Sequence, residues 1–239
     1  MMRLHILGVN GPFPESHGAT SGYLLEADDC FFGFDLGCGV LSALTALTAP
    51  ENLTALLFTH WHFDHCSDLG VLLYRLEACG KTLSVYGPED PASAMFRLAD
   101  SASCVDLHPV SPGHMLSLGS TDIHVHAARH PVPAVGYTAV QGGKVFGYTG
   151  DTNTLPSLSE DYRSCDLLLA DGLFPAAAWS PEKPHLSAEL VARLAVEADA
   201  RSLVLTHFNP LFSRDVLLAE ARAVYPAVRL ASPGDSILL

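Results

Sequence analysis

The sequence predicts an α/β fold, strand-rich at first and then alternating between strands and helices. Short apolar runs recur at 2–8, 20–27, 30–35 and 53–58, patterned as half-buried or fully buried strands. A block of strands covers roughly 105–150 and contains Gly142-Gly143 between Gly136–Gln141 and Lys144–Tyr148, a two-residue hairpin signal. The last third reads strand, helix, strand, helix, strand over 166–170, 187–198, 202–206, 213–224 and 236–239.

The remaining elements fit between these. Strands 20–27 and 30–35 are joined by the turn-forming pair Asp28-Asp29, helices are expected at 39–48, 67–79 and near 91–102, and a strand at 82–86. No stretch has linker or low-complexity composition, so residues 1–239 read as a single domain. Hydrophobic residues are 49% and charged residues 16%, enough to bury a substantial core. No apolar run reaches the roughly 20 uncharged residues of a membrane span. The start, Met1-Met2-Arg3-Leu4-His5-Ile6-Leu7, alternates like a strand and lacks the shape of a signal peptide. A soluble, cytoplasmic protein without a membrane partner is therefore expected.

The six cysteines (30, 38, 66, 79, 104 and 165) contain no C-x-x-C pair, so reduced, mostly buried thiols are expected. Cys66 directly follows His65, but chain neighbours rarely aim at one ion. The net charge is −13, from 13 basic and 26 acidic residues, and no Lys/Arg cluster is visible. Such a surface repels long nucleic acids, though a few residues can still grip one small phosphate. Nothing in the chain decides its oligomeric state, and a homodimer is compatible with it.

Leu56-Leu57-Phe58-Thr59-His60 and Leu203-Val204-Leu205-Thr206-His207 echo one another. Each is a buried-strand run ending in Thr-His, preceded by Ala- and Leu-rich helical sequence. The echo suggests two related halves facing one another, each setting a histidine just past the end of a rigid strand.

The strongest signal spans 59–65. An apolar strand stops, and His60, His62, Asp64 and His65 appear within six positions. In extended chain alternate side chains point the same way, so His60 and His62 can pinch one ion. Asp64 and His65 fall at the turn into the next helix and can face a second. This imidazole and carboxylate mixture suits zinc.

His60-x-His62-x-Asp64-His65 resembles the signature of the metallo-β-lactamase fold, a four-layer αββα sandwich of two mixed β-sheets flanked by helices. The rest of the chain is similar to one branch, the ribonuclease Z-like and phosphodiesterase group. The segments carrying that similarity are Arg129-His130-Pro131-Val132-Pro133-Ala134-Val135-Gly136-Tyr137, Gly147-Tyr148-Thr149-Gly150-Asp151-Thr152, Pro184-His185-Leu186-Ser187 and Leu205-Thr206-His207-Phe208. They run in the family's order from about residue 5 to 210. The resemblance implies that His60, His62 and His130 hold a first metal. Asp64, His65 and His207 hold a second, with Asp151 bridging both. Asp35 and the glycines of Asp35-Leu36-Gly37-Cys38-Gly39 are expected to shape the turn beneath the site.

Two departures qualify the resemblance. Ribonuclease Z enzymes carry a Gly- and basic-rich arm that clamps transfer RNA, whereas here one hairpin separates His130 from Asp151 and leaves no room for it. Asp171, in Leu169-Ala170-Asp171-Gly172-Leu173-Phe174, stands where that family usually has Glu.

The implied cofactors are two divalent metal ions, zinc first, with manganese and iron as alternatives decided by availability. Two such ions lower the pKa of a shared water toward roughly 7 and supply hydroxide for attack on phosphorus. The catalytic set is then Asp64 (also a ligand), His185 as proton donor to the leaving alkoxide, and Asp171 as its orienting partner. The preferred function is hydrolysis of a small phosphodiester. The alternatives are a lactonase or thioesterase of the same fold, or a non-catalytic metal-binding or carrier protein. A di-iron oxidoreductase fits less well, because that branch commonly has Glu where His62 sits. Specificity is expected in loops around 10–18, 88–104 and 172–184.

Overall fold

The structure is a computed structural model describing residues 1–28 and 30–239. Its strands and helices begin with β1 (Met2–Gly8), β2 (Gly22–Ala27), β3 (Cys30–Leu36), α1 (Val40–Thr45), β4 (Ala55–Leu57), α2 (Phe63–Cys66) and α3 (Leu69–Cys79). They continue with β5 (Leu83–Pro88), α4 (Ala94–Ser101), β6 (Val105–Val110), β7 (Met115–Leu118), β8 (Thr121–Ala127), β9 (Val135–Gln141) and β10 (Lys144–Tyr148). The last third holds α5 (Leu158–Asp161), β11 (Leu167–Asp171), α6 (Ala188–Glu197), β12 (Leu203–Thr206), α7 (Arg214–Arg222), β13 (Arg229–Leu230) and β14 (Ser236–Leu238). Of the expected Asp28-Asp29 turn, Asp28 takes a φ of 49° and Asp29 lies outside the described residues. No helix among the described residues is long and apolar enough to cross a membrane.

The chain forms two compact units, Met1–Val110 with Ser232–Leu238, and Ser111–Ala231 with Leu239. The first holds a 7-stranded sheet ordered β14-β1-β2-β3-β4-β5-β6. Pairing is antiparallel from β14 to β3 and parallel from β3 to β6. Its apolar core joins Leu56, Phe58 and Val85 to Leu69, Leu72 and Leu76 of α3 and Phe96 of α4. Trp61 is drawn into this core because it points opposite to its neighbours His60 and His62. It packs on Phe58 at 4.8 Å and Phe96 at 5.6 Å, and its indole N–H donates to Pro88 O at 2.8 Å.

The second unit holds another 7-stranded sheet, ordered β13-β12-β11-β10-β9-β8-β7. It repeats the plan of the first, antiparallel from β7 to β10 and parallel from β10 to β13. Helix α6 is capped by the Ser187 hydroxyl, which accepts from Leu190 N, and it buries Val191, Ala192, Leu194 and Ala195.

Several expectations needed revision. The strand expected near the C-terminus is present as β14, but it follows an unexpected short strand and joins the other sheet. β14 pairs antiparallel with β1 in the first sheet, and the short β13 takes the place beside β12. The two Thr-His runs fall at different places in the two sheets. β4 lies one strand beyond the switch to parallel pairing and β12 lies two beyond it, so the sheets share a plan that the echo does not follow. The expected helix 39–48 is regular only over Val40–Thr45, its end tightening into three-residue bonds from Ala46 N to Ala43 O and Leu47 N to Leu44 O. All six cysteines are free, but only Cys66, Cys104 and Cys165 are buried, while Cys38 and Cys79 are exposed.

Close backbone packing ties β3 to the histidine-rich segment. Ser21 N donates to Asp64 O at 3.1 Å, Gly37 N to Ser21 O at 2.9 Å, and Cys38 N to Thr20 Oγ1 at 2.7 Å. A Cβ on Gly37 would lie 2.0 Å from Asp64 O and 2.2 Å from Thr20 Oγ1, so only glycine fits. Gly37→Ala is expected to cost about 2 kcal/mol through overpacking, lowering the melting temperature by roughly 4–8 °C. A thermal melt matching the parent within a degree would show that this approach constrains nothing.

Candidate metal centre

Each unit gathers its candidate residues past the C-terminal ends of its strands, where α/β sheets place ligands. In the first unit β3 delivers Asp35 near its end, with φ 57°, a left-handed conformation uncommon outside glycine. β4 runs on through Phe58 and Thr59 to His60. Short helix α2 then carries Asp64 and His65 on its single turn, so a helical turn, rather than a loose one, presents this pair.

Asp35 organises the cluster. It is 1% exposed, and its Oδ1 accepts from Thr59 N at 2.8 Å. The Thr59 hydroxyl donates to the same carboxylate, at 3.1 Å from Oδ1 and 3.0 Å from Oδ2. His65 Nδ1 donates to Asp35 Oδ2 at 2.8 Å. With its proton directed at Asp35, the Thr59 hydroxyl accepts from His60 Nδ1, 3.1 Å away. His60 and His65 thereby carry their protons on Nδ1 and present Nε2 lone pairs. His60 Nε2 lies 3.0 Å from His62 Nδ1, and His65 Nε2 lies 3.6 Å from Asp64 Oδ2.

Cys66 stands apart from this chemistry. Its thiol points back at His62 O, 3.0 Å away. Burial, with Asp35 and Asp64 adding to it, pushes its pKa far up and keeps it protonated.

The second unit builds its cluster from β8, β10, β11, β12 and the loop before α6. His130 follows β8, and its Nδ1 donates to Pro184 O at 3.2 Å. Asp151 follows β10, Asp171 ends β11, and His207 follows β12 with φ 60°. Asp151, Asp171, His185 and His207 bring ligand-type atoms within 4.8 Å of one another, all four residues buried. His185 Nδ1 donates to Asp171 Oδ2 at 2.6 Å, and the His185 and His207 rings stack with centroids 5.0 Å apart. His207 Nδ1 lies 3.5 Å from Asp171 Oδ1, and its Nε2 lies 3.5 Å from Asp151 Oδ1. Burial works to raise the Asp171 pKa, but the charges and hydrogen bonds of His185 and His207 outweigh it, leaving it below the usual carboxylate range. Asp171 is therefore held as an anion facing two imidazoles.

The donor chemistry fits divalent metals. Four imidazoles, those of His60, His65, His130 and His185, have Nδ1 set on an oxygen that fixes the tautomer, the backing that metal-ligating histidines usually have. The 3.0 Å between ring nitrogens of His60 and His62 is close to the roughly 3.3 Å expected for two nitrogens sharing one tetrahedral zinc at ~2.0–2.1 Å. The first unit thus assembles His60, His62, Asp64 and His65, and the second His130, Asp151, Asp171, His185 and His207.

Two contributors were not assigned these roles from the sequence. Asp35 was expected only to shape a turn, and Thr59 carried no role. A carboxylate near the end of an apolar strand, needing buried partners, is the signal that could have revealed Asp35.

Comparisons with known proteins agree with this architecture. A family profile described as a beta-lactamase superfamily domain matches residues 29–208. The probable metallo-hydrolase YhfI of Bacillus subtilis is 29% identical over 240 residues, spanning 98% of each chain. The crystal structure of YhfI, described as a metallo-beta-lactamase fold protein, superposes with a TM-score of 0.93 over 99% of this chain and 98% of that one. Ribonuclease Z of a Bradyrhizobium species is 26% identical over 299 residues, spanning 99% of each. The short form of human tRNase Z shares the fold at 19% identity, with a TM-score of 0.82 covering 99% and 98%. The α/β class and the two mixed, helix-flanked sheets are those of this fold.

Thr59→Val keeps the shape of the side chain and removes the oxygen joining Asp35 to His60. Metal affinity, measured by competition with a chelating dye, is expected to fall about 10- to 100-fold, as for other groups that orient ligands. Thr59→Ser should retain most of it. Equal affinity in both variants would leave Thr59 a role in packing alone.

Proposed function

The chain belongs to the beta-lactamase superfamily domain family, and on that premise we propose that it is a metal-dependent hydrolase, a phosphodiesterase acting on a small phosphodiester. In this reading His60, His62 and His130 hold one divalent ion, Asp64, His65 and His207 hold a second, and Asp151 serves both. Zinc is the first choice for these nitrogen and carboxylate donors, with manganese and iron as alternatives. When bound, such a pair supplies activated water at neutral pH and offsets charge building on the phosphoryl oxygens.

The observation that carries the reading is the 2.6 Å hydrogen bond from His185 Nδ1 to the buried Asp171 carboxylate. The same nitrogen lies 3.7 Å from Asp151 Oδ2 and the ring stacks on His207, so Nε2 is the nitrogen left for proton exchange. Asp171 stabilises the imidazolium, so His185 can carry a proton and release it from Nε2 to a departing alkoxide. Asp171 makes this bond despite being one methylene shorter than the Glu common in similar enzymes. The hydrolase names borne by YhfI and ribonuclease Z support the reaction class, and the latter supports phosphorus as its centre.

The substrate is small in this reading. His130 is followed by a tight hairpin, β9 and β10 turning at Gly142 and Gly143 with φ of 56° and 75°, and no arm interrupts the chain before Asp151. The net charge of −13 also disfavours a polyanion.

Two measurements test the proposal. Metal-reconstituted protein should hydrolyse bis(p-nitrophenyl) phosphate with higher kcat/KM than an acyl-homoserine lactone or a thioester, and the reverse order would replace phosphorus with a carbonyl. His185→Ala should keep its metal content yet lose roughly 10²–10⁴-fold in turnover of a dinucleoside phosphate, whose alkoxide needs a proton. The loss should be much smaller with a nitrophenolate leaving group. Equal losses on both would make His185 a positioning group for substrate.

A further inference from the structure

Beside His130, Arg129, Pro131, Glu182, Lys183 and Pro184 line a pocket of about 190 Å³. It places two cations together in a chain whose acids outnumber its bases two to one, 26 against 13. Four other cations of this unit are spent on carboxylates. Lys144 and Arg201 pair with Asp166, Arg163 with Glu160, and Arg193 with Glu189. Arg129 and Lys183 are not. Arg129 Nη2 donates to Pro181 O at 2.8 Å, and the Lys183 ammonium lies 5.5 Å from the Phe174 ring centroid. Neither contact cancels a positive charge. Glu182 shares the pocket as an anion, its carboxyl held below the usual range by the Ser180 hydroxyl, which donates to Oε2 at 2.7 Å, and by the nearby charge of Arg129.

The backbone beneath the pair is fastened to one buried side chain. Asn153 is fully buried, and its amide Nδ2 donates to the carbonyls of Lys183 at 2.5 Å, Ser180 at 3.3 Å and Pro181 at 3.4 Å. Asn153 N donates to Arg129 O at 3.0 Å, and Arg129 N to Thr152 Oγ1 at 2.9 Å. His130 Nδ1 reaches Pro184 O at 3.2 Å. The segment after Asp151 thus fastens both loops, and the two cations stand at fixed backbone positions next to a candidate metal ligand.

We infer that Arg129 and Lys183 form a subsite for a second phosphate, carried by the substrate beyond the phosphodiester that is cleaved. Two cations attract a phosphomonoester, near −2 at neutral pH, more strongly than a lone carboxylate, against the single opposing charge of Glu182. The planar Arg129 fork can take two phosphate oxygens while Lys183 serves as a point charge. The inference rests on reading the neighbouring centre as a phosphodiesterase site, and its consequence is a substrate class, phosphodiesters bearing a terminal phosphomonoester.

The test separates the subsite from the reaction. Titration calorimetry compares thymidine 3′,5′-bisphosphate with thymidine 5′-monophosphate on the metal-loaded protein and on Arg129→Ala and Lys183→Ala. The parent should prefer the bisphosphate about 5- to 10-fold, the range of a partly exposed charge-assisted contact. Each variant should lose that preference while holding the monophosphate within about twofold. A parent without the preference, or a preference surviving in both variants, overturns the subsite. In parallel, p-nitrophenyl esters of thymidine 5′-phosphate, with and without a 3′-phosphate, report turnover. If both are hydrolysed with equal KM, the phosphodiesterase reading stands and the subsite falls. If neither is hydrolysed while the binding preference depends on Arg129 and Lys183, the subsite stands and the reaction must be reassigned.

Discussion

Asp35 is a carboxylate almost wholly removed from water near the end of a central strand, and the first unit is arranged around the need to satisfy it. Burying such a charge costs on the order of several kcal/mol unless donors surround it. Here the donors are the Thr59 amide and hydroxyl and the His65 ring. Each obligation propagates. Thr59 must lie directly past β4, His65 must come back on a helical turn, and Gly37 must let the Asp64 carbonyl approach. Asp171 plays a similar part in the second unit, with His185 and His207 as its neighbours. The two acids turn flexible imidazoles into groups with a set tautomer and a set outward nitrogen, and metal chemistry requires both.

That dependence explains what could be read from the chain alone. The cluster His60, His62, Asp64 and His65 was legible because its members lie within six positions, and local geometry already aims alternate residues together. Many strands were legible for a similar reason, as apolar runs bounded by turns, while their division into two sheets came from the family resemblance. Asp35 as the support of His65 was not, because its partners sit 24 and 30 positions away and no local pattern joins them. Asn153 was hidden likewise, as its acceptors lie 27 to 30 positions on.

The errors have equally physical origins. The repeated Leu/Val-Thr-His run reflects what any buried strand ending in a polar turn looks like, so it recurs at different places in the two sheets. β13 spans two residues, too few to show a period, and exists because β12 offers it an edge. β14 was recognised as a strand but its partner β1 was not, since strand character is local while pairing is decided by the rest of the molecule.

The pairing of Ser236–Leu238 with Arg3–His5 has a consequence for biosynthesis. Chains are made from the N-terminus, and folding proceeds while they grow. β1 can join β2 early, yet its other edge has no partner until residues more than two hundred positions later emerge from the ribosome. Throughout that interval the nascent chain presents an open edge beside apolar Leu4 and Ile6, the kind of edge that recruits other chains. Vectorial synthesis thus places the closing strand of the first sheet after the whole of the second. The protein is most exposed to misassociation during translation, and safest once its final strand has docked.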